Sequence, residues 1–191
     1  MKTTFTLVRH GQTDWNKRGI VQGAANIPLN DFGIQQAQIK APFFANKQYD
    51  YAFSSPLDRA IKTMSIILTT NNYHLPIETD DRLKERDFGE VEGLHFMYYR
   101  SLNEQGIPTK HFENNEDLEK RVYAFLQEKV LSHGGKSLLI TAHSHVLKAA
   151  HRSVYTPQID YRAPLDNLAV LVLEFDHGQK NWAVVYYEGE M

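Results

Sequence analysis

The chain has 191 residues, 42% of them hydrophobic, which is enough for one sizeable core and too little for two ordinary domains. Its formal net charge of -2 excludes a generic polyanion-binding surface, and its lack of cysteine excludes disulfides, thiolate catalysis and thiolate metal sites together. Residues 1–8 carry one lysine and too short an apolar stretch for a signal peptide, and no later segment approaches a membrane span, so a cytoplasmic protein with no membrane and no nucleic-acid partner is expected.

Residues 4–8 read as a buried strand that ends on Arg9-His10-Gly11. A cation beside an imidazole at a strand's C-terminal end, with glycine allowing close backbone approach, suits an oxyanion such as phosphate. Asn30 is placed to cap a helix through Ile34, Ala37 and Phe44. Residues 51–53 form the next short strand. Ser54-Ser55-Pro56 then sets proline just after a capping serine, and Ala60, Met64, Ile67 and Leu68 recur at helical spacing. Residues 94–115 are the least patterned stretch, rich in aromatic and polar side chains, and are expected to form a lid or substrate wall. An amphipathic helix over 116–131 stops near Gly134-Gly135. Residues 137–141 follow as an apolar strand, 145–154 as a helix, and 167–175 and 182–187 as strands joined around Asp176-His177-Gly178. Strands alternating with helices predict one α/β domain over 1–191, a three-layer α/β/α sandwich with a mostly parallel central sheet.

Several separated motifs agree in order with one family. The chain resembles the histidine phosphatase superfamily, in its phosphoglycerate mutase-like branch. Arg9-His10-Gly11 is similar to the signature triplet, and Gln12-Thr13-Asp14-Trp15-Asn16 to its continuation. Gln22-Gly23 with Pro28-Leu29 and Gly33 forms the next block, and Ser54-Ser55-Pro56-Leu57-Asp58-Arg59-Ala60 with Thr63 resembles the arginine-bearing segment. Leu83-Lys84-Glu85 with Phe88-Gly89 and Glu92-Gly93 resembles the acid-bearing segment, and Ala142-His143 after a strand the last one. The resemblance implies the phosphoglycerate mutase-like fold and a phosphohistidine intermediate.

The chemistry needs these residue types for separable reasons. A neutral nitrogen of His10 attacks phosphorus if the other nitrogen carries a proton donated to the backbone. Arg9 and Arg59 present planar forks that match phosphoryl oxygens and neutralise their charge without a metal. His143 and the uncharged Asn16 are expected as further donors, with Gln22, Gly23 and Ser144 as substrate-binding positions. Glu85 is the candidate acid for the leaving alkoxide, and later the base for the water that attacks phosphohistidine. It must start protonated, a state that a neighbouring phosphate dianion favours.

Taken singly, Arg59 reads as a helix-surface residue, Glu85 as part of a solvated charged loop, Asn16 as a cap and Gln22-Gly23 as a turn. Their joint order is what assigns them to one site. His143-Ser144-His145 also admits a zinc reading if extended geometry continues past the strand, but two arginines in the same pocket would repel a cation, and no metal or cofactor is expected. Three positions depart from the family: Ser144 stands where glycine is usual, Val91 where tryptophan is frequent, and Asn26 where aspartate is frequent. Ser144 either crowds a close backbone contact or adds a phosphate donor. The stretch from Glu85 to His143 is short beside the glycolytic mutases, which favours a phosphatase of small phosphorylated metabolites. The alternatives are a phosphoglycerate mutase and a non-catalytic phosphate-ligand binding protein. Substrate identity and oligomeric state stay open.

Overall fold

A computed structural model describes residues 1–155 and 159–189. Six strands form one sheet: β1 (Lys2–Arg9), β2 (Tyr51–Ser54), β3 (Ile77–Thr79), β4 (Ser137–Ala142), β5 (Val170–Asp176) and β6 (Asn181–Tyr187), in the spatial order β3-β2-β4-β1-β5-β6. The first four run parallel, while β5 pairs antiparallel with both β1 and β6. The helices are α1 (Asp14–Lys17), α2 (Asp31–Lys40), α3 (Asp58–Thr70), α4 (Phe96–Glu104), α5 (Asn115–Ser132) and α6 (Ser144–Val154).

Side-chain alternation along the strands divides the core into two layers. Phe5 and Leu7 of β1, with Leu138 and Ile140 of β4, face α5 and α6, whereas Val8 and Leu139 face α2 and α3. Both faces of the central strands are therefore covered, as the near-continuous apolar runs require. A third, smaller cluster of Val21, Phe88 and Val91 supports Tyr99, Leu102 and Phe112 of the 94–115 stretch, which contains α4. The sequence of that stretch shows no buried face because α4 buries no residue completely. No helix among the described residues is long and apolar enough to cross a membrane.

Element boundaries show where local signals were overridden. Asn30 caps α2 as expected, its Oδ1 accepting from Gly33 N at 2.8 Å. The helix ends at Lys40 rather than Phe44, and Ala41–Phe44 tightens into a 3₁₀ turn at Pro42, whose ring nitrogen has no hydrogen for an α-helical bond. Neither serine caps α3, which begins after Leu57 with no side-chain bond from that residue. Asn26, far away in sequence, instead accepts from Asp58 N at 2.9 Å. Strand β5 starts at Val170 rather than 167 because Leu168 takes a left-handed backbone (φ 61°), which ends extended geometry there. The edge strand β3 was not anticipated, having three residues and no buried face.

Candidate active site

The parallel strands β1, β4 and β2 are neighbours, and their C-terminal ends deliver Arg9-His10, His143 and Ser55 to one edge of the sheet. A cavity of about 890 Å³ opens there, walled by Arg9, His10, Asn16, Arg59 and Glu85 among others. Gln22, Gly23 and Ser144 also line it, so the expected positions converge, with His143 buried just behind the wall.

His10 is 3% exposed and its Nδ1 lies 2.7 Å from the carbonyl oxygen of Gly11. A carbonyl only accepts, so Nδ1 carries the proton and Nε2 keeps its lone pair. Burial first, then the neighbouring His143 ring and the charges of Arg59 and Arg9, hold the imidazole well below its usual pKa, so it is neutral at physiological pH. Its backbone is fixed by Ala142 O, which accepts from His10 N at 3.0 Å, and by Asn167, which donates to His10 O at 2.9 Å. Asn167 was not singled out in the sequence, since an isolated asparagine before a strand carries no signal.

Glycine next to His10 has a tertiary reason. A Cβ on Gly11 would come within 2.5 Å of Gly33 O, and one on Gly33 within 2.1 Å of Gln12 O, because the exit of β1 packs backbone to backbone on the start of α2. Gly11 N also donates to Thr63 Oγ1 at 3.1 Å, and Thr63 donates to Arg59 O at 2.7 Å. One turn of α3 is thereby tied to the His10 loop.

Arg59 is 1% exposed. Its Nη1 donates to Ala25 O at 2.6 Å and its Nη2 to Gly23 O at 2.9 Å, while Nε has no partner among the described residues. Burial pulls its pKa down to about 10, with Glu85 opposing, so it remains a cation at neutral pH. The loop that positions it depends on Gly23, at φ +52°, where a Cβ would fall 1.7 Å from Glu92 Oε1. Glu92 holds that loop by accepting from the N–H groups of Ala24 (2.8 Å) and Ala25 (3.2 Å). Arg9 donates to Leu165 O, and its Nε has no partner among the described residues. In Asn16 the Oδ1 accepts from Thr13 N at 3.2 Å, closing a capping box on α1 and leaving the amide nitrogen for the cavity. Gln22 is held similarly, its Oε1 accepting from Thr13 Oγ1 at 2.9 Å.

His143 is fully buried, its ring 5.1 Å from that of His10. Its Nε2 lies 2.8 Å from Ser55 Oγ, and Nδ1 has no partner among the described residues. Ser144 begins α6 without a left-handed backbone, so the usual glycine is not needed and no strain results. His143 keeps an extended backbone at the helix N-cap, but His145 lies in the first turn of α6, so the extended geometry that the zinc reading required does not continue past His143. Among the described residues, no three histidine or carboxylate side chains converge as a metal site.

Glu85 follows a 3₁₀ turn (Asp81–Leu83) anchored in the core by Leu83. Arg121 of α5 pins its backbone, donating to Arg82 O at 2.6 Å and Glu85 O at 3.2 Å. Burial raises the Glu85 pKa, yet its interactions with the His145 and His143 imidazoles and with the N–H of Arg86 outweigh it and hold the group well below the usual carboxylate range. The protein's own groups thus keep Glu85 ionised, opposite to the protonated state expected of a leaving-group acid, and a bound phosphoryl dianion would have to reverse that.

The opposite wall was not foreseen. Lys148, 3% exposed, donates to Tyr161 O at 2.9 Å and Ala163 O at 2.6 Å and so fastens the 160–163 loop to α6. Burial pulls its pKa down to about 8. Tyr161 stacks on His145 and beneath Arg86. From the 94–115 stretch, α4 supplies Phe96, Tyr99 and Arg100 to the cavity, whereas Tyr98, Lys110 and His111 stay outside it.

Comparison with known proteins agrees with this architecture. The chain is 36% identical over 148 residues to the "Uncharacterized phosphatase PhoE" of Bacillus subtilis, spanning 77% of this chain and 75% of that one. It is 32% identical over 160 residues to a 2,3-bisphosphoglycerate-dependent phosphoglycerate mutase of Cytophaga hutchinsonii, covering 76% and 74% respectively. Among solved structures it superposes on a phosphoserine phosphatase from Entamoeba histolytica, determined in complex with phosphoserine, with a TM-score of 0.81 at 26% identity over 97% of this chain and 96% of that one. The family model named histidine phosphatase superfamily (branch 1) matches residues 5–188, and the chain belongs to that family.

Proposed function

We propose that this chain is a metal-independent phosphatase that hydrolyses a small phosphorylated metabolite through a phosphohistidine on His10. The observation that carries the reading is the Nδ1 contact of His10 with Gly11 O, which leaves a neutral, uncommitted Nε2 at a cavity walled by Arg9 and Arg59. In the first step the Nε2 lone pair forms a bond to phosphorus as the ester P–O bond breaks. Arg9 and Arg59 balance the charge on the phosphoryl oxygens, and the departing alkoxide takes a proton from Glu85. In the second, water attacks phosphohistidine, gives its proton to Glu85, and releases phosphate and free His10. Glu85 takes up its first proton as the dianion binds beside it, since the protein alone holds it ionised.

Phosphatases and mutases both occur among the relatives. Phosphoserine and 3-phosphoglycerate are the first substrates to test, because solved relatives bind them. In EDTA, phosphate release is expected from at least one of these and from para-nitrophenyl phosphate, and it disappears in His10→Ala with circular dichroism unchanged. Loss of activity on chelation, or wild-type turnover by His10→Ala, overturns the proposal. Isomer exchange of phosphoglycerate without phosphate release assigns the chain to the mutases instead.

A further inference from the structure

The two oxygens of the Glu85 carboxylate are held differently. Oε1 accepts from the N–H of Arg86 at 2.9 Å and from the N–H of His145 at 3.2 Å. The second contact reaches the first turn of α6, where the N-cap residue His143 gives the helix no side-chain bond. Glu85 thus satisfies an N–H group that a helix start leaves free. Oε2 accepts no hydrogen bond among the described residues, and Glu85 lines the cavity.

The His145 ring stands beside the occupied oxygen. Its Nδ1 is buried, has no hydrogen-bond partner among the described residues, and lies 3.6 Å from Glu85 Oε1. Tyr161 stacks on the ring with centroids 5.7 Å apart, and Phe88 meets it edge-on at 5.1 Å. Lys148 anchors the loop that carries Tyr161, so packing fixes the orientation of the imidazole. Burial holds His145 below the usual histidine range despite the opposing pull of Glu85, which leaves the ring neutral with a single N–H. A lone pair on Nδ1 would face the lone pairs of an ionised carboxylate, so the hydrogen belongs on Nδ1. At 3.6 Å the contact is longer than a hydrogen bond, as contacts around a catalytic acid commonly are before substrate tightens them.

We infer that His145 is a positioning residue for Glu85: its Nδ1–H joins the two backbone donors on Oε1 and keeps that oxygen an acceptor through both steps. Oε2 alone then gives its proton to the departing alkoxide and takes one from the attacking water. The inference rests on the phosphatase reading for the role of Glu85. Ring packing by itself does not call for a nitrogen, since a phenyl ring would fill the same slot between Tyr161 and Phe88.

His145→Phe keeps that packing and the backbone N–H and removes Nδ1. On whichever of phosphoserine and 3-phosphoglycerate the wild type hydrolyses faster, kcat is expected to fall about tenfold with KM unchanged, the lower end for a hydrogen bond to a charged group. In a Glu85→Gln background the same substitution should cost less than about twofold, since residues that act through one another are not additive. A purely structural role would give the same loss in both backgrounds. Wild-type kcat in His145→Phe, or an additive loss in the double variant, overturns the inference. If His145→Phe does not fold, or if no phosphomonoester is hydrolysed and the phosphatase reading fails by itself, the tautomer of the wild-type protein decides. Two-bond proton–nitrogen NMR spectra at neutral pH are expected to place the His145 proton on Nδ1, which upholds its hold on Glu85; a proton on Nε2 rejects it.

Discussion

At His10 a single backbone contact decides what the side chain can do. Gly11 O fixes the proton on Nδ1, and burial among cations keeps the ring neutral, so in the proposed reaction His10 needs no separate base. Arg59 is held by two carbonyls as well as by its helix, and a lysine there would keep the charge but lose the fork. Arg59→Lys is expected to lower kcat/KM by about 100- to 1000-fold, the scale of losing one donor to a developing oxyanion. Steady-state kinetics with phosphoserine check it, and a change under threefold would argue against a phosphoryl contact. Glu85→Gln should slow turnover of alkyl phosphomonoesters by about 100- to 10,000-fold. The first-turnover burst of nitrophenolate from para-nitrophenyl phosphate should survive, because that leaving group needs no proton. Rapid-quench kinetics separate the two cases, and loss of the burst would remove Glu85 from the role of acid.

Elements meet at this site through close backbone packing and long-range caps. The end of β1 and the start of α2 approach closely enough that neither Gly11 nor Gly33 tolerates a Cβ. The N-terminus of α3, which carries Arg59, is capped from the Gln22-Gly23 loop by Asn26. Asn26→Ala should therefore cost about 0.5–2 kcal/mol, the range for a lost N-cap. A shift in the urea midpoint without a change in the slope would register it. If stability is unchanged, α3 does not depend on this contact. The position where aspartate is frequent in the family thus retains a capping acceptor in this chain, and Val91, where tryptophan is frequent, fills the small cluster under α4.

Across the whole molecule, the buried titratable groups set a common acid response. Burial, aided for His143 by Arg59, holds His10 and His143 well below 6.5, and burial likewise lowers His145 despite Glu85. As pH falls through 6.5, the unfolded chain binds protons on these rings that the folded chain does not, so stability drops with acid. Glu85 acts with the same sign at lower pH: its folded pKa is depressed, so its contribution is present above the ordinary 4.5 and lost as pH falls through the folded value. Thermal melts between pH 8 and 5 should show a falling Tm, less steep in His143→Ala. A flat profile in the wild-type protein would contradict neutral buried histidines.

Fold class was legible because apolar periodicity is local: β1, α3, α5 and β4 announce themselves in their own residues. The catalytic candidates His10, Arg59, Glu85 and His143 were legible only as an ordered set of motifs, since each taken singly has an ordinary surface reading. Strand–helix alternation and the chemical types available for an oxyanion site are written in the local order of residues. Tertiary structure alone decided which tautomer His10 holds, because that follows from a carbonyl at a particular distance. It alone joined Asn26 to α3, Asn167 to His10 and Lys148 to the Tyr161 loop, contacts whose partners lie too far apart in the chain for any local pattern to link them. It also left Arg86 buried with no ion-pair partner among the described residues, because whether a charge is balanced depends on what packs around it and not on its neighbours in sequence.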